Sequence, residues 1–202
     1  ELFGGLDIGR EPTGERGRYH WLHFNFSAVE KRADRVEASF DAYSCGVIDE
    51  FAERHAAQLP DGAAEAIRAK RTCHEKLNAL TAHLKGSGVR LYVCIDEYDN
   101  FTNTILAESR DRYEALCHGD GFFKQFFNEL KAATTGMNAP ITRMFITGVT
   151  PVTMDDVTSG FNIATNVSLD PAFAALTGFT HDDLRAMLAY YRENAGFAFD
   201  EN

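Results

Sequence analysis

The chain has 202 residues, of which 45% are hydrophobic and 25% are charged, as in an ordinary globular protein. Its formal net charge of −10 disfavours a direct nucleic-acid surface, because such a surface needs clustered lysine and arginine. No stretch reaches the roughly 18 to 20 apolar residues of a membrane span. The four cysteines form no CxxC pair. We therefore expect a protein of the reducing cytoplasm with no membrane partner.

The first half of the chain predicts a loop, a strand and two helices. Residues 1–19 are rich in glycine and charge, which is typical of a loop. The short aromatic run at residues 21–27 predicts a buried strand. Apolar residues recur at three- and four-residue spacing over residues 30–58, which predicts a helix. A second helix is predicted over residues 63–84, where one apolar stripe consists of Cys73, Leu77, Leu80 and Leu84.

The second half alternates strands and helices. Residues 89–95 are apolar apart from Arg90, as in strands buried on both faces of a parallel sheet. A phenylalanine-rich helix is predicted over residues 122–133, where it would be part of the core, and a strand over 141–149. Thr180 and Asp183 form a capping-box variant that opens a last helix. The alternation predicts an α/β fold of three layers, a mostly parallel sheet with helices on both faces. We expect residues 1–202 to form a single incomplete domain.

Two carboxylates lie at the position where such a fold is expected to place its reactive groups. Asp96 and Glu97 follow the most apolar strand directly, and reactive groups of open α/β sheets lie beyond the carboxyl ends of strands. Four or more apolar residues followed by Asp-Glu is the Walker B pattern. In that pattern Asp96 would hold a magnesium ion through water, and Glu97 would orient or deprotonate the attacking water. The alternative is that an acidic pair merely ends an apolar strand at the solvent.

The strand at residues 141–149 also leads into polar residues. Thr147 and Thr150 are candidates for sensing the γ-phosphate of a nucleotide, because the strand beside Walker B presents a polar side chain there in P-loop ATPases. The alternative is that threonine occurs in strands for packing reasons.

Together, several segments resemble the AAA-ATPase-like family of P-loop NTPases. The most specific segment is 145–152, followed by 155–163. The resemblance implies an ATPase core in which Asp96 and Glu97 have the roles given above. It further implies that longer members carry a PD-(D/E)XK nuclease-like domain. The other resembling segments are 2–6, 91–101 and 173–179. Five residues of the family signature have no role that we can assign, and a tight turn is the alternative for the last four: Asp99, Ser159, Gly160, Phe161 and Asn162.

The chain departs from the family at the phosphate-binding loop. No G-x-x-x-x-G-K-[ST] occurs in the 202 residues. We therefore expect a P-loop NTPase-like core that lacks the Walker A strand and loop, a fragment of a longer protein. The complete protein would bind ATP and Mg²⁺ and hydrolyse ATP, whereas this chain alone would bind neither tightly. The competing hypothesis is a non-catalytic interaction or regulatory module that retains the fold. A nuclease using Asp96, Glu97 and Asp99 is disfavoured, because residues 89–99 contain no lysine.

Fold analogy also predicts the order of the strands. The three segments 21–27, 89–95 and 141–149 would be parallel, with 89–95 in the centre. The strand at 141–149 would then have one unpaired edge beside apolar side chains, which is a liability unless it is covered. We expect self-association through this edge, a local segment folded over it, or poor solubility.

Overall fold

The computed structural model describes residues 4–150, 164–174, 176 and 178–196. The chain divides into two compact units, Glu1–Asn162 and Ile163–Asn202. The sheet and most of the helices that the structure describes belong to the first unit. The expectation of a single incomplete ATPase-like domain stays a prediction.

The sheet of the first unit consists of β1 (His20–Asn25), β2 (Leu91–Asp96) and β3 (Ile141–Ile146). Its order is β1-β2-β3 and both pairs are parallel, which confirms the predicted order with the apolar strand in the centre. In the register, Asn25 lies beside Asp96, and Ile95 lies beside Ile146. The carboxyl ends of all three strands therefore meet at one edge of the sheet.

Helices connect the strands of this unit. A short α1 (Asp7–Arg10) precedes β1, and a 3₁₀ turn (Phe26–Ala28) follows it. The helices after that turn are α2 (Val36–Arg54), α3 (Ala63–Arg68), α4 (Cys73–Leu84), α5 (Asn100–Glu108), α6 (Arg110–Cys117) and α7 (Phe122–Thr134).

Several boundaries differ from the sequence expectations, and the helix predicted over residues 30–58 extends only over Val36–Arg54. The single helix predicted over residues 63–84 is wrong, because Thr72 and Glu75 form a capping box that starts a separate helix α4. The third strand ends at Ile146 instead of residue 149, since the following residues bond to the segment after β2. Residues 1–19, expected to be a loop, contain α1.

One face of the sheet lies in the hydrophobic core. Leu22 and Phe24 of β1 and Val93 of β2 are fully buried there. The phenylalanine-rich helix α7 packs against this core, and its Phe126 ring lies 5.3 Å from the Phe24 ring, centroid to centroid. The prediction that this helix belongs to the core is confirmed. The parallel α/β fold with surrounding helices is confirmed as well.

The other face of the sheet keeps exposed aromatic side chains. Trp21 is 58% exposed and stacks on Tyr92, its neighbour in the register, at 4.7 Å between ring centroids. Phe145 of β3 is 36% exposed on the same face. The helices that the structure describes in the first unit therefore leave this face accessible.

The second unit contains a 3₁₀ turn (Pro171–Phe173) and helix α8 (His181–Ala195). The predicted capping box is confirmed, because the Thr180 hydroxyl accepts from the Asp183 backbone N–H and the Asp183 carboxylate accepts from the Thr180 N–H. No helix in the described ranges is long and apolar enough to cross a membrane.

Candidate active site at the carboxyl edge of the sheet

The Asp96 cluster, which we define as Asn25, Asp96 and Thr147, forms where the three strands end. Asp96 is the last residue of β2 and is half-buried. The side-chain amide of Asn25 donates to Asp96 Oδ2 at 3.3 Å, and the Thr147 hydroxyl donates to Asp96 Oδ1. The Glu97 backbone N–H donates to Oδ1 at 3.0 Å. Both carboxylate oxygens are thus oriented by neutral donors from the ends of the neighbouring strands.

Glu97 has an unusual backbone conformation. Its φ is 52°, in the left-handed region that disfavours residues with a side chain. The side-chain amide of Asn100 donates to Glu97 Oε2. Strained residues of this kind persist where the surrounding structure holds them, and they cluster at functional sites. Within the described part of the chain, neither Glu97 nor Asp96 forms an ion pair with a lysine or arginine.

The segment after β3 runs alongside the segment after β2. The Thr147 backbone N–H donates to the Ile95 carbonyl at 2.8 Å, and the Tyr98 N–H donates to the Thr147 carbonyl at 3.1 Å. The buried Tyr98 hydroxyl donates to the Thr150 carbonyl. These bonds continue the β2–β3 pairing beyond the last residue of β3, and they fix Thr147 next to Asp96.

Asp99 is fully buried and binds the same segment through its carboxylate. The Thr150 backbone N–H donates to Oδ2 at 2.7 Å, and the Val149 N–H donates to Oδ1 at 3.0 Å. The Asn103 amide donates to Oδ2 at 2.7 Å. We call Asp99, Asn103, Val149 and Thr150 the Asp99 clamp.

The charge of Asp99 is stabilised by this arrangement. Burial raises the pKa of the carboxyl, but the hydrogen bonds from the Thr150 and Val149 backbone and from the Asn103 and Thr150 side chains outweigh it. The pKa of Asp99 is therefore lowered from its ordinary value. The carboxylate remains charged at neutral pH although it is buried.

Over residues 1–158 the chain matches the family described as Predicted AAA-ATPase. It belongs to the AAA-ATPase-like family. The matched stretch contains the Asp96 cluster, Glu97 and the Asp99 clamp. No curated protein and no solved structure matches the chain.

In this AAA-ATPase-like chain, the structure brings the main predicted site residues to one edge of the sheet. Asp96, Glu97 and Thr147 lie together, and Asp99 and Thr150 form the adjoining clamp. The signature residues Ser159, Gly160, Phe161 and Asn162 lie outside the described residues.

Sequence reasoning missed Asn25, Tyr98 and Asn100 as parts of this edge. Asn25 ends β1 one residue beyond the buried Phe24, so its position at a strand end was a usable signal. Asn100 lies one turn after Glu97, where the hydrogen bond between them depends on the left-handed conformation of Glu97. That conformation cannot be read from residue types.

The edge suits a magnesium ion held by few protein ligands. In the described ranges no group of three or more histidine, cysteine, aspartate or glutamate residues could hold a metal. Mg²⁺ usually keeps several waters and binds one or two carboxylates together with substrate phosphates. Asp96 offers such a carboxylate, and Asn100 Oδ1 beside Glu97 is buried with no hydrogen-bond partner among the described residues. The residues present fit a water-bridged ion.

Proposed function

We propose that the complete protein hydrolyses ATP with magnesium, and that this chain supplies the carboxylates for that reaction. The observation that carries the proposal is the Asp96–Glu97 pair at the carboxyl end of the central strand in a member of the AAA-ATPase-like family. Ligands and substrates of open α/β sheets bind at such ends.

The two carboxylates have different tasks in this proposal. Asp96, oriented by Asn25 and Thr147, would hold the magnesium ion through water. When bound, the ion neutralises charge that develops on the phosphates. Glu97 would orient the attacking water and accept its proton. No lysine or arginine of the described residues pairs with Glu97, so its carboxylate is available as a base.

Thr147 is the residue that we propose for sensing the γ-phosphate. It follows the strand beside β2, and its hydroxyl already donates to Asp96. A bound phosphate beside the metal would compete with Asp96 for the single proton of this hydroxyl. Thr147 would thereby couple the position of the nucleotide to the orientation of Asp96.

Substitution of Glu97 tests the proposal in the complete protein. Glu97→Gln keeps the shape of the side chain but accepts no proton, so we expect turnover to fall by about 100-fold or more while ATP binding is retained. Asp96→Ala should instead weaken magnesium-dependent ATP binding. Steady-state hydrolysis and calorimetric ATP titration measure the two effects.

The exposed Glu108→Gln, at the end of α5, is the matched control because it removes the same charge from the same stretch of chain. It should leave both quantities unchanged. Parental turnover in Glu97→Gln would contradict the role of Glu97 and favour the non-catalytic module.

We also expect this chain alone to bind ATP-magnesium weakly, since its 202 residues contain no Gly-rich loop with lysine to hold the phosphates. A micromolar dissociation constant would contradict that expectation.

A further inference from the structure

The Asp99 clamp connects two segments that carry the proposed chemistry. Asp99 lies three residues after Asp96, and its carboxylate accepts hydrogen bonds from the backbone of Val149 and Thr150. Thr147, whose hydroxyl orients Asp96, belongs to the same post-β3 segment. Any displacement of this segment would therefore displace Thr147 relative to Asp96.

The two segments approach so closely that one position requires glycine. A Cβ atom at Gly148 would lie 2.5 Å from Tyr98 Cδ1 and 2.6 Å from Asp99 Oδ1, closer than real side chains come. The Tyr98 hydroxyl donates to the Thr150 carbonyl on the other side of Gly148. The contact between the two segments thus consists of the buried Asp99 carboxylate, the buried Tyr98 phenol and the backbone of Gly148.

The hydroxyl of Thr150 forms hydrogen bonds within the clamp. It has one hydrogen and lies 3.1 Å from both Asp99 Oδ2 and Asn103 Oδ1. Donation from Thr150 to a phosphate oxygen would therefore break a hydrogen bond of the clamp that holds the segment. The geometry separates the two threonines of the segment, with Thr147 at Asp96 and Thr150 in the clamp.

We propose that Asp99 is a positioning residue, which holds the 147–150 segment so that Thr147 orients Asp96 for catalysis, and that Thr150 serves this clamp instead of sensing phosphate. This inference rests on the proposed ATPase function. Both oxygens of Asp99 accept hydrogen bonds within the clamp, so in this proposal Asp99 binds neither nucleotide nor metal directly. A loss of the clamp should misplace the catalytic groups while the nucleotide still binds, and misplacement by about 1 Å costs up to about 100-fold in rate.

Asp99→Asn in the complete protein is the first test. The Asn amide would present N–H groups to at least one backbone N–H donor, so the segment should loosen. We expect kcat to fall about 10- to 100-fold while the KM for ATP changes less than about threefold. Hydrogen exchange of the Val149 and Thr150 amides should accelerate, whereas amides within β2 should stay protected.

Tyr98→Phe is a second, milder variant, in case Asp99→Asn does not fold. It removes the hydroxyl that donates to the Thr150 carbonyl and should lower kcat in the same direction by about threefold to tenfold. The control is Tyr113→Phe, the same change at another buried tyrosine on α6. It should leave kcat unchanged.

A pair of threonine variants separates the clamp from phosphate sensing. Thr150→Val keeps the backbone N–H that Asp99 accepts and should cost less than about threefold in kcat, whereas Thr147→Val should cost at least about tenfold. Equal large losses in both would overturn the assignment of Thr150. Accelerated exchange in Asp99→Asn with parental kcat would show a purely structural role and would overturn the positioning role.

The two proposals fail differently. If the folded parental protein does not hydrolyse ATP, the proposed function fails, and the positioning role for that reaction fails with it. If the parental protein is active and Glu97→Gln is not, but Asp99→Asn and Tyr98→Phe both keep parental kcat, only the positioning role fails. Unchanged exchange at Val149 and Thr150 in Asp99→Asn would contradict the clamp itself, independently of any activity.

Discussion

At the scale of single residues, Glu97 combines a proposed catalytic role with backbone strain. Its φ of 52° costs a residue with a Cβ about 1 to 2 kcal/mol, whereas glycine adopts this conformation freely. The sequence places Glu97 correctly after the strand, because the Walker B pattern is local. It does not predict the strained backbone of Glu97, which lies where the segments after β2 and β3 are hydrogen-bonded to each other.

The strain predicts an inverted order of stability for two substitutions. At an ordinary helix position glycine is less stable than alanine by about 1 kcal/mol. At Glu97 we expect the reverse, with Glu97→Gly more stable than Glu97→Ala by about 1 kcal/mol, because only alanine retains the strain. Urea unfolding of this chain measures the difference. The corresponding pair at the exposed Glu53 in α2 should show the ordinary order, and the ordinary order at Glu97 would contradict the left-handed conformation.

Asp99 makes the stability of the chain depend on pH. Its folded pKa is lowered, so the stabilisation by its charge is complete above the ordinary aspartate pKa of about 3.9 and is lost as pH falls through the folded value. At pH 7 we expect Asp99→Asn to cost about 2 to 3 kcal/mol, as for hydrogen bonds to a buried charge.

Unfolding of the parental chain and of Asp99→Asn between pH 3 and 7 measures this contribution. The difference between them should be constant above about pH 5 and shrink below about pH 4. Asp61→Asn, at an exposed turn residue, is the control and should differ little from the parent at any pH. A difference that grows as pH falls would contradict the lowered pKa of Asp99.

At the scale of elements, periodicity predicted the strands and the buried helix faces but not all helix boundaries. The break between α3 and α4 depends on the Thr72 capping box, whereas the apolar stripe that suggested one helix lies wholly within α4. Helices α5 and α6 were not predicted, because short helices show little periodicity. The sheet order followed from fold analogy, and the burial of β2 agreed with its central place.

A buried lysine joins three of these helices. Lys76 falls within the apolar stripe of α4 and is 3% exposed. Its ammonium donates to Asp49 on α2 at 2.7 Å and to the carbonyls of Ile67 and Arg68 at 3.2 and 3.3 Å. Since those carbonyls end α3, the lysine caps one helix from another.

Lys76→Met should therefore destabilise the chain by about 1 to 3 kcal/mol. Methionine preserves most of the packing but removes the ammonium that pairs with Asp49 and donates to the carbonyls of Ile67 and Arg68. Guanidinium unfolding of the variant and the parent measures the loss. Lys70→Met, at an exposed position just before α4, should stay within about 0.5 kcal/mol of the parent. Equal effects of the two substitutions would show that the capping bonds contribute nothing.

At the scale of the whole molecule, the sheet of the first unit has one covered face and one accessible face. The core face of the sheet is covered by helices, whereas Trp21 and Phe145 are exposed on the other face. β3 is an edge strand among the described strands, as the sequence predicted from the order of the sheet. Trp21 and Phe145 are exposed because the helices α2 and α7 cover the opposite face of the sheet. Residue types could not predict which face would be covered, because both faces of β2 are apolar.

An accessible apolar face, next to a strand edge that no other described strand pairs with, predicts association. A parallel edge with free backbone groups accepts another strand, and exposed aromatic rings add apolar area to the contact. We expect this chain to self-associate as its concentration rises, which light scattering coupled to gel filtration measures.

Phe145→Lys, on the edge strand β3, should shift the chain toward the monomer, because a lysine at an edge opposes strand pairing and removes exposed apolar area. Met137→Lys makes the same change in charge at an 87% exposed turn residue before β3 and should leave the association unchanged. A parental chain that remains monomeric at all concentrations, or equal effects of the two lysines, would contradict association through this edge.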